Sequence, residues 1–216
     1  MRKNVLGLLL VIIIEMALVS CTTPSAALFD EEFDSLDTQV WSATPSLTPF
    51  PGFEGSNTLG EVKVESGMLK LSRYAPELAG ENPASFIQTR GVVDLPSIYT
   101  ATMRFKNEFA GLGLGKLHVA VFKSKVWVGY DGIDSPLEDS FEYQSNSDGY
   151  FILSLHVTDG GYTVTIKEDA FNSTEETFSR SLDLSKLAGD SIVTVTGGSN
   201  IASIPYSEID YIRISP

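Results

Sequence analysis

Only one cysteine, Cys21, occurs in 216 residues, so the chain cannot build a disulfide framework or a thiolate-based zinc centre. Histidine is nearly as scarce. His118 and His156 stand far apart in the sequence, neither falls in an HExxH pattern, and no Gly-x-Ser-x-Gly elbow accompanies them, which leaves zinc hydrolysis and a serine triad without support. Cations are outnumbered, with 15 Lys and Arg against 28 Asp and Glu, and the net charge of −13 repels phosphate backbones. Nucleic acid is not an expected partner. Long hydrophobic runs are missing too: the longest, Val5 to Val19, is interrupted by Glu15, whereas a spanning helix needs about 20 apolar residues and a carboxylate at its centre costs about 2.5–3 kcal/mol. No internal repeat or low-complexity tract is present. The 43 % apolar and 20 % charged composition is that of one packed globular domain.

The apolar run reads instead as a signal peptide over residues 1–20. Arg2 and Lys3 give it a basic start, and Leu18-Val19-Ser20-Cys21 closes it, a pattern that is processed rather than folded. Those four residues resemble the bacterial lipobox, whose cysteine receives a diacylglycerol and becomes the new N-terminus. The resemblance implies that Cys21 is the lipid attachment site, that acyl chains hold the protein to a membrane, and that it resides in the bacterial cell envelope, at the outer membrane. A lone thiol in an oxidising compartment is thereby explained; an ordinary secretory signal with an incidental cysteine is the alternative. After the lipidated Cys21, residues 22–27 (Thr-Thr-Pro-Ser-Ala-Ala) complete a short tether, so the fold begins near Leu28.

From there the hydrophobic pattern has period two. Tyr99 to Lys106 alternates apolar and polar residues, Phe151, Leu153, Leu155 and Val157 do the same, and so do Tyr162, Val164 and Ile166, as strands with one face on a core and one in water. Ser66-Gly67 and Asp159-Gly160 punctuate two predicted hairpins, and Lys123-Ser124-Lys125 a third turn. About twelve strands are expected, with the spacing of an all-β sandwich or barrel. One helical turn is expected near Asp183–Gly189, and Pro45, Pro49, Pro51, Gly52 and Gly55 make residues 43–57 a long loop.

Three blocks carry a family resemblance: Phe29-Asp30-Glu31-Glu32-Phe33-Asp34 followed by Trp41, then Ser66-Gly67-Met68-Leu69-Lys70-Leu71, and finally Ile209-Asp210-Tyr211-Ile212-Arg213-Ile214. Together they resemble the concanavalin A-like lectin/glucanase superfamily, which includes glycoside hydrolase family 16. The resemblance implies a jelly-roll sandwich of two curved antiparallel sheets over residues 28–216, with the first and last strands paired. It also implies a structural Ca2+ held where Glu32, Gly67 and Asp210 meet; for Asp210, a solvent-facing edge carboxylate is the competing reading.

The Glu-x-Asp-x-x-Glu segment of the family 16 hydrolases is not found. Its strand would fall at His118-Val119-Ala120-Val121-Phe122, which has no carboxylate. Glu138 and Glu142 imitate the pattern, but on a regular strand they stand about 13 Å apart, beyond the 5–9.5 Å that glycoside hydrolysis uses. With Asp134-Ser135-Pro136 before them, they read as a solvated acidic loop. The aromatic residues carry the remaining signal, because sugar faces stack on Trp and Tyr. Val126-Trp127-Val128-Gly129-Tyr130-Asp131 is the best candidate: Trp127, Tyr130 and Asp131 for ligand contact, with Tyr143, Gln144 and Asn146 rimming the same face. Two orientations are open, Trp127 outward or Trp127 in the core with Tyr130 outward; Trp41 is assigned to packing. The expected partner is a polysaccharide or glycan, bound and not cleaved. A glycan-degrading enzyme and a structural or protein-binding envelope component are the alternatives.

Overall fold

The computed structural model describes residues 26–43, 62–72, 85–106, 109–122, 124–130, 137–143, 149–184, 189–198 and 206–216. The described residues form strands and no helix. In chain order these are β1 (Phe29–Glu32), β2 (Trp41–Ser42), β3 (Val62–Glu65), β4 (Met68–Ser72), β5 (Ser85–Thr89), β6 (Val93–Leu95), β7 (Tyr99–Lys106), β8 (Phe109–Leu114) and β9 (Leu117–Phe122). They continue as β10 (Lys125–Tyr130), β11 (Leu137–Glu142), β12 (Tyr150–Thr158), β13 (Gly161–Glu168), β14 (Glu175–Ser181), β15 (Gly189–Ser191), β16 (Val193–Gly198) and β17 (Tyr206–Ser215).

The first sheet has the order β14-β13-β12-β7-β17-β4-β3, and β1 lies beside the second half of β17; the second has the order β11-β10-β9-β8-β16-β5-β2. Alternation dictates this layering. Tyr99, Ala101, Met103 and Phe105 of β7 and Phe151, Leu153, Leu155 and Val157 of β12 are buried, while the residues between them are not. They meet Leu112, Val119, Val128 and Val195 of the second sheet in one apolar cluster. The result is the predicted sandwich, and β1 pairs with β17 from Phe29↔Ile214 to Glu32↔Tyr211. Both predicted hairpins form. At the β3–β4 turn Ser66 and Gly67 have φ of 58° and 72°, the left-handed pair that a two-residue type I′ turn requires.

Seventeen strands replace the expected twelve, because several are too short for alternation to register: β2 has two residues, and β6 and β15, which form a separate ribbon, have three each. Gly189 opens β15 instead of ending a helical turn, and residues 185–188 of that turn lie outside the described residues. So do residues 44–57 of the proline-rich loop. Glu138 and Glu142 lie on β11 and not in a loop, because β11 pairs residue by residue with β10, from Lys125↔Glu142 to Tyr130↔Leu137.

Candidate functional site

The second sheet sends alternate residues to the core and so fixes what its outer face offers. Val126, Val128 and Tyr130 of β10 turn inward, as do Leu117, Val119 and Val121 of β9 and Ala110, Leu112 and Leu114 of β8. Lys125, Trp127 and Gly129, His118 and Ala120, and Gly111 and Gly113 are therefore left on the other side. Strand register aligns these residues into rows across the sheet. One row runs Ser42, Gln88, Thr194, Gly113, His118, Gly129. The next runs Phe86, Thr196, Gly111, Ala120, Trp127 and ends at Ser140.

The first row is polar. Gln88 donates from Nε2 to Thr194 Oγ1 at 3.2 Å. His118 is flanked in register by Gly113 and Gly129, and its imidazole fills the space above Gly129, where a Cβ would overlap Nε2. Glycine is needed there for room, not for backbone freedom. Burial lowers the His118 pKa to about 4, so the ring is neutral at physiological pH. Gln88, His118, Thr194 and Thr196 of these rows are all buried.

Trp127 is different. It is 40 % exposed, and its row neighbours are the small Ala120 and Ser140, which leave its flanks open. Lys125 Nζ lies 4.2 Å from the ring centroid, a cation–π contact that covers one ring face and fixes its tilt. Of the two orientations open from the sequence, the structure has Trp127 outward.

The other predicted ligand residues divide into two groups. Tyr130 belongs to the core, because it has the parity of Val126 and Val128, and Tyr143 is buried edge-on against Phe151, with centroids 5.7 Å apart at 76°; neither ring is presented to a ligand. Asp131, Gln144 and Asn146 lie outside the described residues. Trp41 packs as expected, fully buried between Phe29 and Phe33 and donating from Nε1 to Glu31 Oε2 at 2.9 Å. His156 is on the outer face of the opposite sheet, 3.0 Å from Thr100 Oγ1, so the two histidines share no site.

The positions offered for Ca2+ do not fit it. A register shift between Ile209 and Tyr211 sets Asp210 in a bulge, which turns its carboxylate onto Arg104 Nη1 at 2.5 Å; Glu32 is 3.5 Å from Arg213 Nη2. Both carboxylates thus spend their charge on guanidinium groups, and among the described residues no three His, Cys, Asp or Glu side chains converge on a point. A calcium site needs several converging oxygen ligands.

Sequence reasoning missed Asp139. From β11 it faces between the sheets and accepts hydrogen bonds from Tyr162 Oη and Arg180 Nη1 of β13 and β14. Burial, followed by that bond to the carboxylate, raises the Tyr162 pKa. Beside it Phe141 stacks on Phe178 at 5.5 Å and 10°. This clip joins the edges of the two sheets, and no local pattern announces it.

No family model and no curated protein matches the sequence. Solved structures do match in shape. The CBM2 module of the evolved Dit of Lactobacillus casei BL23 phage J-1 superposes with a TM-score of 0.64 at 12 % identity, over 88 % of this chain and 95 % of that one. SCLam, a non-specific endo-β-1,3(4)-glucanase from family GH16, gives 0.58 at 13 % identity, over 91 % and 93 %. The VIP36 exoplasmic/lumenal domain in its Ca2+/Man3GlcNAc-bound form gives 0.53 at 10 % identity, over 71 % and 82 %. The fold is that of the concanavalin A-like lectins and glucanases. At these identities the likeness speaks for architecture alone. Glu138 and Glu142 stand four residues apart on β11, about 13 Å along the backbone of a regular strand.

Proposed function

We propose that this protein is a cell-envelope lipoprotein whose sandwich domain binds a polysaccharide or glycan without cleaving it. The observation that carries the reading is Trp127, an indole exposed on the outer face of the second sheet. A flat ring takes the apolar face of a sugar and neighbouring neutral donors and acceptors take its hydroxyls. Similarity in shape to a CBM2 module and to a mannoside-bound lectin domain supports the same use. One stack and a few hydrogen bonds give weak affinity per sugar, so long chains gain by occupying neighbouring subsites. A glycan array on the chain starting at Pro24, followed by calorimetry and a reducing-sugar assay, tests the reading. Binding without sugar release is expected, and sugar release abolished by Glu138→Gln or Glu142→Gln would replace it with a hydrolase.

The anchor rests on the sequence around Cys21. Two or more acyl chains hold a protein firmly where one does not, so the mature form partitions into detergent, and the outer membrane is the proposed address. Labelled palmitate is incorporated into the wild-type protein and not into Cys21→Ala; equal incorporation into both would refute the anchor.

A further inference from the structure

We infer that two copies of this chain pair edge to edge through β14, about a two-fold axis at Phe178, an inference that goes beyond the glycan-binding reading and does not depend on it. β14 ends the first sheet, and among the described residues its strand partner is β13 alone. Sheet edges are normally blunted by brevity, a lysine, a proline or a bulge. β14 has none of these: it runs seven residues, Glu175–Ser181, without Lys or Pro, and its ladder with β13 shows no register shift. The other edges are short or charged. β1 and β3 have four residues each and β2 has two, while β11 sets Glu138, Asp139 and Glu142 among its six, so a second β11 would meet like charges.

β14 is also complementary to itself. Opposed residues of an antiparallel pair share a face, and a two-fold axis at Phe178 is the register that pairs all seven residues. It sets Phe178 against its own copy, Glu176 against Arg180, Thr177 against Ser179 and Glu175 against Ser181. No like charges meet. Glu176, Phe178 and Arg180 stand opposite Ile166, Val164 and Tyr162 of β13 and share their inward parity, so Phe178, already stacked on Phe141, gains a second ring. Arg180, an inward charge that would deter a neighbour, is partly neutralised by Asp139. Its side chain remains 37 % exposed, and a guanidinium has N–H groups enough for a second carboxylate. On the outer face, Thr177 and Ser179 repeat across the axis the hydroxyl contact that Ser179 makes with Thr163 at 2.9 Å. The axis is normal to the sheet, so both copies of Trp127 look to the same side.

Sedimentation equilibrium of the full-length protein in density-matched detergent, from about 1 to about 100 μM, tests the inference. The wild type is expected to approach twice the protomer mass. Two variants report the register, both at exposed positions where no core contact is removed, with the thermal midpoint as a check on folding. Thr177→Lys with Ser179→Lys opposes two cations on each side of the axis and should weaken association at least about tenfold. Thr177→Lys with Ser179→Glu opposes cation and anion and should keep the dimer. A wild type still monomeric at the highest concentration, or a dimer indifferent to the double lysine change, would overturn the inference. Loss of the dimer in both variants would overturn it too, because the axis at Phe178 is what brings position 177 against position 179.

Discussion

The imidazole of His118 lies over the α-carbon of Gly129, its partner in the β9–β10 ladder. A methyl group at position 129 would occupy the place of Nε2, and the ring has little freedom to withdraw because Gly113 and the rest of the row are themselves packed. Gly129→Ala is therefore expected to cost about 1–3 kcal/mol through overpacking, read as a lower thermal midpoint. Combining it with His118→Ala should recover most of that loss, since the second change removes what the methyl strikes; the two effects are non-additive because the groups touch. Additive losses would place the ring somewhere else.

The same burial sets a pH dependence. The folded-state pKa of His118 is lowered from 6.5 to about 4, so between those values the unfolded chain binds a proton that the native chain refuses. Stability contributed by the neutral ring is complete above pH 6.5, is lost at about 1.4 kcal/mol per unit as pH falls towards 4, and changes no further below that. The total is about 3 kcal/mol. Urea unfolding from pH 7 to pH 4 should show this slope in the wild type and a flatter one in His118→Gln; identical slopes would mean that the native ring titrates normally.

Much of the architecture was legible because it rests on alternation and on turn chemistry. Tyr99 to Lys106, Phe151 to Val157 and the Ser66-Gly67 turn declare their faces locally, and the acidic opening and closing segments pair as expected in β1 and β17. The outward side of Trp127 was one of two permitted parities, and three β10 neighbours packing inward decide it. Tyr130 and Tyr143 follow the inward parity of Val126 and Val128 and of Phe141, so the side on which Trp127 lies excludes Tyr130 from the same face. Asp210 lies at a register shift, which a sequence does not display, and contacts Arg104. The row of Gln88, Thr194 and His118 comes from three strands brought together by register across long sequence separations, and nothing local in those strands connects them.

Asp139 provides a test of what holds the open edge of the sandwich. It serves Tyr162 and Arg180 at once, and its side chain is largely removed from water. Asp139→Ala leaves a buried tyrosine and a guanidinium without their acceptor and should cost about 1–3 kcal/mol. Asp30→Ala, which breaks a well-exposed contact with Arg213, should cost no more than about 1 kcal/mol. Chemical denaturation of the two variants side by side decides the matter. Equal, small losses would show that the Phe141–Phe178 stack alone closes that edge.

The two tryptophans should separate binding from stability. Trp41 is enclosed by Phe29 and Phe33 and hydrogen-bonded to Glu31, so Trp41→Ala opens a cavity and is expected to cost about 3–5 kcal/mol of folding stability. Trp127 sits on the outer face with small neighbours and a lysine against one side. Its removal opens no cavity, and Trp127→Ala should change stability by less than about 1 kcal/mol while weakening glycan binding by about 1–3 kcal/mol, the loss typical of an anchoring aromatic. Thermal unfolding and calorimetry against the polysaccharide that binds best measure the two quantities on one preparation. Trp127→Phe should retain part of the affinity, because a smaller ring still stacks. Unaltered affinity in Trp127→Ala would move the binding surface away from β10, and a stability loss as large as that of Trp41→Ala would show that the indole packs as core.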